Sequence, residues 1–456
     1  MKPIVFLVIA VGLTFALPFL ATPATSGDYL TLRESKLVGT TDITGPNIIL
    51  MIGDGMGVEQ INLARLVEVG EGGLLSMDKI GTPVLMTTNS SSSDITDSAA
   101  AGTAIACGKK TINDYVGVGP DGKAMYNIAE IAKLSNMSTG VVSTAELTHA
   151  TPASFIAHVP DRNDYGRIAY QTVHANTDVM LAGGSSQFSE DQLSTFEERG
   201  YEVTQTTEEL LSAPTGKIVG LFSSGHFPFV QALNPSVPSL AQLTQKSLDV
   251  LGENPEGFFL MVEGARIDHA GHSNDPVNVA LETISFDKAV QVARDYVDAH
   301  PSTLLIVTAD HETGGLQVQG FEESFNFPSD GLSVTENTTL RIQRTLGANV
   351  SWTTDYHTPT KVPLYMYGRS MTDFTNSTTI DNTEVFGFML KHLNLKAPIG
   401  SPIVPSITDE NNTSKSSNLP STNDEEIGGF GIFALAIPLI VVGKKKRAFL
   451  THQGDS

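Results

Sequence analysis

The stretch "GFFLMVEGARIDHAGH" (257–272) decides the fold. Its apolar part is short, rich in Phe, Leu, Met and Val, and stops at Glu263; Asp268, His269 and His272 follow. A short apolar run bounded by polar residues reads as a strand buried on both faces. Three further runs repeat the pattern: "NIILMIGDG" (47–55), "STGVVSTAE" (138–146) and "STLLIVTADHE" (302–312). Helix-like stretches lie between them at 98–109, 126–134, 163–175 and 276–299. Short apolar strands alternating with helices predict an α/β fold, a central mostly parallel β-sheet flanked by helices on both faces. In such sheets ligands bind beyond the carboxyl ends of the strands. Each run delivers acidic residues, and some also His, just where its apolar part stops. That coincidence predicts a site there.

The ends of the chain read differently from this body. Residues 1–24 run from one Lys through a long apolar core to small residues, the order of a secretory signal cut near Ala24. Residues 427–443, "IGGFGIFALAIPLIVVG", are uncharged and "KKKR" (444–447) follows, which predicts a membrane anchor with residues 444–456 as a basic cytoplasmic tail. Residues 404–426 are rich in Ser, Asn, Pro and Asp and predict a flexible tether. Residues 25–403 are then one catalytic body. Within it 317–350 is polar and without clear period, and is expected to be a surface insertion. Asn-x-Ser/Thr sequons at Asn89, Asn136, Asn337, Asn349, Asn376, Asn411 and Asn412 suit an exported chain.

A net charge of −22 argues against a nucleic-acid-binding surface. The only cysteine, Cys107, cannot form an internal disulfide. It lies in an Ala/Gly-rich helical pattern and reads as a small core residue. An exported chain without disulfides fits the extracellular face of a microbial cell membrane.

The polar strand ends supply Asp54 in "GDGMG", Glu263, Asp268 and His272 in "EGARIDHAGH", Asp310 and His311 in "TADHETGG", and His357 in "DYHTPTKVPLYMYG". "HATPASFIAHVPDR" adds His149, Thr151 and Arg162. Alone, each His is more often a structural hydrogen-bonding residue than a ligand. Together, so many converging carboxylates would repel without cations. His with carboxylate suits zinc, and carboxylate with hydroxyl or water suits magnesium, so the set predicts more than one metal ion. Ser98, in "DITDSAAAGTAIACGKKT" (94–111), follows Asp97 and precedes a run of small residues. No GxSxG surrounds it, so metal activation is the natural way to make its hydroxyl a nucleophile. Arg162 would supply a bidentate fork for phosphate oxygens.

The series "IGDGMG", "TDSAAAGTA", "HATPASFIAHVPDR", "VEGARIDHAGH", "TADHETGG" and "HTPTKVPLYMYG" resembles, in order, the motifs of the alkaline phosphatase family over residues 46–395. The resemblance implies that Ser98 becomes phosphoserine and Arg162 holds phosphate, with Asp97 orienting the arginine. It implies two zinc sites, one from Asp268, His272 and His357 and one from Asp310, His311 and Asp54. It implies a third ion, usually magnesium, at Asp54, Thr151 and Glu263. His149 stands beside that third site and softens it towards zinc or cobalt. His269 is expected to touch phosphate rather than metal. The activity implied is hydrolysis of small organic phosphate monoesters at alkaline pH, with broad specificity. A homodimer is common in such a family, although no residue demonstrates one. The rival readings are a phosphodiesterase or sulfatase on the same scaffold, and a non-catalytic surface-binding protein on a decayed enzyme fold.

Overall fold

The computed structural model describes residues 45–406, apart from 233, 322–333 and 369–377. The expected leader, anchor and basic tail, and the tether beyond Ser406, lie outside the described residues. Among the described residues no helix is long and apolar enough to cross a membrane.

The body is built on one ten-stranded sheet. Its strands run in the order Thr379–Asp381, Val84–Thr87, Val362–Gly368, Thr303–Thr308, Asn47–Gly53, Phe258–Gly264, Ser138–Glu146, Val179–Gly183, Ile218–Leu221 and Glu202–Thr204. Among these only Val362–Gly368 runs against its neighbours. Ile48 to Ile52 and Phe258 to Val262 are all fully buried, as strands covered on both faces must be. The predicted strands hold. Ser138–Glu146 has the expected bounds; the runs ending at Gly53 and Thr308 stop before Asp54 and Asp310, while the strand ending at Gly264 carries Glu263 as its second-last residue. The predicted helices also form, as Ser98–Cys107, Ile128–Leu134, Tyr165–His174 and Pro276–Ala299. The last begins with Pro276 at its first position, capped by the Asp275 carboxylate on the amides of Val277 and Asn278.

The segment expected as a surface insertion carries order of its own. Strand Gln317–Phe321 pairs antiparallel with Ala348–Ser351, and helix Val334–Leu346 lies between them. Arg344 of that helix is buried and donates to the Val67 carbonyl at 2.7 Å.

At the amino-terminal ends of the strands, Thr139 and Thr177 line a cavity of about 390 Å³ with Phe155 and His158. Pro402, Ile403 and Pro405 form part of its wall. The acidic residues lie at the other end of the same strands.

Candidate active site

Strand register sets the level of the site. Ile52 stands beside both Glu263 and Thr308, and Ser143 stands beside Glu263. The chain therefore leaves neighbouring strands at one height, carrying Asp54, Glu263, Asp310 and His311, each 0% exposed. His149 follows the end of Ser138–Glu146. His357 arrives from outside the sheet, where His357–Thr358 pairs antiparallel with Glu312–Thr313. Asp268 and His272 are four apart on helix Arg266–His272 and so share a face.

Ser98 opens helix Ser98–Cys107 and is buried. Asp97 caps that helix, its Oδ1 accepting from the Ala100 amide at 3.0 Å. The small residues that follow let the helix pack closely: a Cβ on Gly102 would sit 2.9 Å from Ser154 Oγ. Cys107 is buried, as expected, and burial pushes its thiol well up. Free amides and the helix dipole at Ser98 favour an anion there.

The histidines are oriented by acceptors on their far nitrogens. His272 Nδ1 meets the Asp355 carbonyl at 2.6 Å, and His357 Nδ1 meets the Thr96 carbonyl at 2.8 Å. A carbonyl only accepts, so both Nδ1 atoms carry the proton. Both Nε2 atoms then present lone pairs, 3.1 Å apart and 3.4 and 3.6 Å from the Asp268 carboxylate. In that tautomer the arrangement suits a cation at its centre. His311 repeats the logic: Thr313 Oγ1 lies 2.5 Å from Asp268 Oδ1, to which it donates, and 3.2 Å from His311 Nδ1. Nε2 of His311 faces Asp310 at 3.3 Å, Asp54 at 3.5 Å and Ser98 Oγ at 3.2 Å.

Among the described residues, three groups hold ligand atoms within 4.8 Å of one another: Asp268, His311 and His357; Asp54, Asp310 and His311; and Asp54, His149 and Glu263. His272 adjoins the first through Asp268 and His357. Both oxygens of Asp54, Asp310 Oδ2, Glu263 Oε1, Thr151 Oγ1 and His149 Nδ1 are buried without a hydrogen-bond partner. Burial of unpaired carboxylates is costly, and these oxygens fit metal ions by both position and chemistry. Because Arg162 can only donate to His149 Nε2, the His149 proton is on Nδ1 and only Nε2 can serve as a ligand. Burial and the charges of Asp310, Asp268 and Glu263 raise the Asp54 carboxyl well above its ordinary value. Burial lifts Glu263 to about 8, and burial with the Asp268 charge lifts Asp310 to about 7. Burial opposes the Asp268 charge too, but His272, His357 and His311 hold that carboxyl well below the usual range.

Arg162 Nη1 donates to Asp97 Oδ2 at 3.1 Å, and Nη2 lies 3.2 Å from His149 Nε2. Burial, Arg162, His226 and His269 push the His149 imidazole well below its ordinary value. His269 is held down at about 3 by burial, His226 and Arg266.

The candidate ligand and phosphate-contact residues are thus brought to one end of the sheet. Sequence reasoning missed Ser143, which donates to Glu263 Oε2 at 2.5 Å, and Thr313. It also missed His226, whose ring lies 5.4 Å from that of His149 and 4.6 Å from that of His269. Arg266 was missed as well, although it and Thr313 stand inside quoted motifs. Nothing local marks His226.

The family model described as "Alkaline phosphatase" matches residues 46–331. Alkaline phosphatase 3 of Bacillus subtilis (strain 168) is 30% identical over 413 residues, covering 76% of this chain and 88% of that protein. Alkaline phosphatase 4 of the same organism is 38% identical over 287 residues, covering 60% of this chain and 62% of that protein. The crystal structure of the cold-active alkaline phosphatase from a psychrophilic Shewanella species superposes with a TM-score of 0.67 at 31% identity, covering 76% of this chain and 99% of that one.

Proposed function

The chain belongs to the alkaline phosphatase family, and from that premise we propose that it hydrolyses phosphate monoesters at alkaline pH through a covalent phosphoserine on Ser98. One observation carries the reading. Ser98 Oγ and two carboxylates converge on the same nitrogen of His311, while its far nitrogen faces Thr313. In a serine–histidine–aspartate relay the carboxylate sits on the far nitrogen. Convergence on one nitrogen is instead the geometry of ligands around a cation.

Asp54, Asp310 and His311 would hold one zinc, Asp268, His272 and His357 a second, and Asp54, Glu263, Thr151 and His149 a third ion, magnesium, zinc or cobalt. Such ions supply Lewis acidity that lowers the pKa of a hydroxyl or water and neutralises charge on a leaving oxygen. Ser98 Oγ attacks phosphorus in line, the P–O bond to the alcohol breaks, and the alcohol leaves from the Asp268, His272 and His357 side. Water then attacks the phosphoserine from that same side, and the Ser98 oxygen departs with inorganic phosphate released. Arg162 grips two non-bridging oxygens with its fork, held by Asp97. His269 donates to a phosphoryl oxygen. The Ser98 amide end of the helix stabilises the negative charge throughout.

Acid quenching during turnover of a ³²P-labelled monoester tests this, and label on Ser98 is expected. Full turnover by Ser98→Ala would overturn the covalent route. Turnover of a phosphate monoester well above that of a diester separates this reading from its rivals. The sequences of residues 1–24 and 427–447 support export and a C-terminal anchor, which fractionation of the expressing cells tests directly.

A further inference from the structure

Arg266 sits one helical turn before His269 on helix Arg266–His272, and its Nη1 donates to His269 Nδ1. The guanidinium lies over the Phe229 ring, 4.1 Å from its centroid. The carboxylate of buried Glu282 is a neighbouring charge, itself fixed by the Val230 amide at 2.7 Å. An arginine side chain only donates and does not deprotonate. Its partner nitrogen on His269 must therefore offer a lone pair. The His269 ring is then neutral, and its one proton is on Nε2. The ring stands 5.8 Å from that of His149, whose own Nε2 faces Arg162, so the imidazole stands beside the corner where Arg162 would take phosphate.

We propose that Arg266 is a positioning residue that fixes His269 as the Nε2–H tautomer, making a neutral imidazole a preset donor to a phosphoryl oxygen. The inference rests on the reading of His269 as a phosphate contact. Arg266 itself touches no reacting atom. Its effect passes through the imidazole, as an outer partner sets a histidine's tautomer in metal sites. Phe229 and Glu282 keep the guanidinium in place, so the device has its own support.

The test uses the zinc- and magnesium-loaded enzyme with inorganic phosphate as competitive inhibitor, and ¹⁵N imidazole spectra in which His269→Gln identifies the His269 signals. Wild type is expected to show an unprotonated Nδ1 and a protonated Nε2 at His269. Arg266→Met should disturb that signature and weaken phosphate inhibition by about tenfold, the worth of one hydrogen bond to a charged group. His269→Gln should weaken it equally, the double variant no further, and Arg266→Lys should recover most of it. A full effect of His269→Gln with none from Arg266→Met overturns the proposal and leaves the His269 reading intact. No effect from His269→Gln overturns both. Additive losses in the double variant also overturn the proposal. Should Arg266→Met fail to fold, a wild-type His269 carrying its proton on Nδ1 is enough to refute it.

Discussion

Asp97 serves Arg162 and the helix that Ser98 opens with opposite oxygens of one carboxylate. Oδ2 accepts from Arg162 Nη1 and from the Asp114 amide, each at 3.1 Å, while Oδ1 caps the helix that Ser98 begins. Asp97→Asn keeps a capping oxygen but loses the ion pair, and should weaken phosphate inhibition with little change in Tm. Asp97→Ala should lose both, with a further stability loss of about 1 kcal/mol for the missing cap. Thermal melts alongside phosphate inhibition separate the two roles.

Asp54 belongs to two of the three ligand groups, and Glu263 to one. Asp54→Ala should therefore reduce metal content by more than one ion per chain, and Glu263→Ala by one. Elemental analysis of dialysed protein decides this. In wild type, zinc at a hundredfold above the Kd of a site should add about 2.7 kcal/mol of stability, reversible by chelator.

Gly55 turns the chain beneath the site at φ +72°, and a Cβ there would lie 2.8 Å from both Asp268 Cα and Thr313 Oγ1. Gly55→Ala should cost about 1–3 kcal/mol and loosen zinc at Asp268. Gly122 has a similar φ of +74° but open space around it. Gly122→Ala should show only the backbone cost, with metal affinity unchanged, so calorimetric zinc titration of the two variants separates crowding from strain.

His158 is buried, with Nδ1 2.8 Å from the Gly117 carbonyl and Nε2 2.9 Å from the Glu130 carboxylate. Burial opposes its charge, but Glu130 and the Gly117 carbonyl raise the imidazole above its ordinary 6.5. A raised folded value means the fold binds the proton more tightly than the unfolded chain does. The stability it contributes is full below about pH 6.5 and is lost as pH climbs through the raised value. His158→Gln should flatten that part of the stability–pH curve, as urea melts from pH 6 to 10 would reveal.

Much of this architecture was legible because apolar runs and chemistry share one boundary. Ser138–Glu146 and Pro276–Ala299 could be placed almost to the residue, since the first ends its apolar run abruptly and the second carries Asp275 and Pro276 at its start. The candidate ligand residues were legible for the same reason: Asp54, Asp310 and His311 lie just past buried strands and Glu263 near the end of one. The reversed direction of Val362–Gly368 was not, because strand direction depends on connections rather than on composition. Helix Val334–Leu346 was hidden because it holds on through polar contacts, Arg341 pairing with Glu68 and Arg344 reaching the Val67 carbonyl. Those show no apolar period. His226 and Arg266 matter only through partners that tertiary packing brings to them.

The cavity wall built by Pro402, Ile403 and Pro405 lies beside Thr139 at the start of the strand Ser138–Glu146, whereas His149 lies just past its end. At about 3.3 Å per residue, that strand separates the two by roughly 25 Å. Pro405 thus stands at the opposite end of these strands from the candidate site.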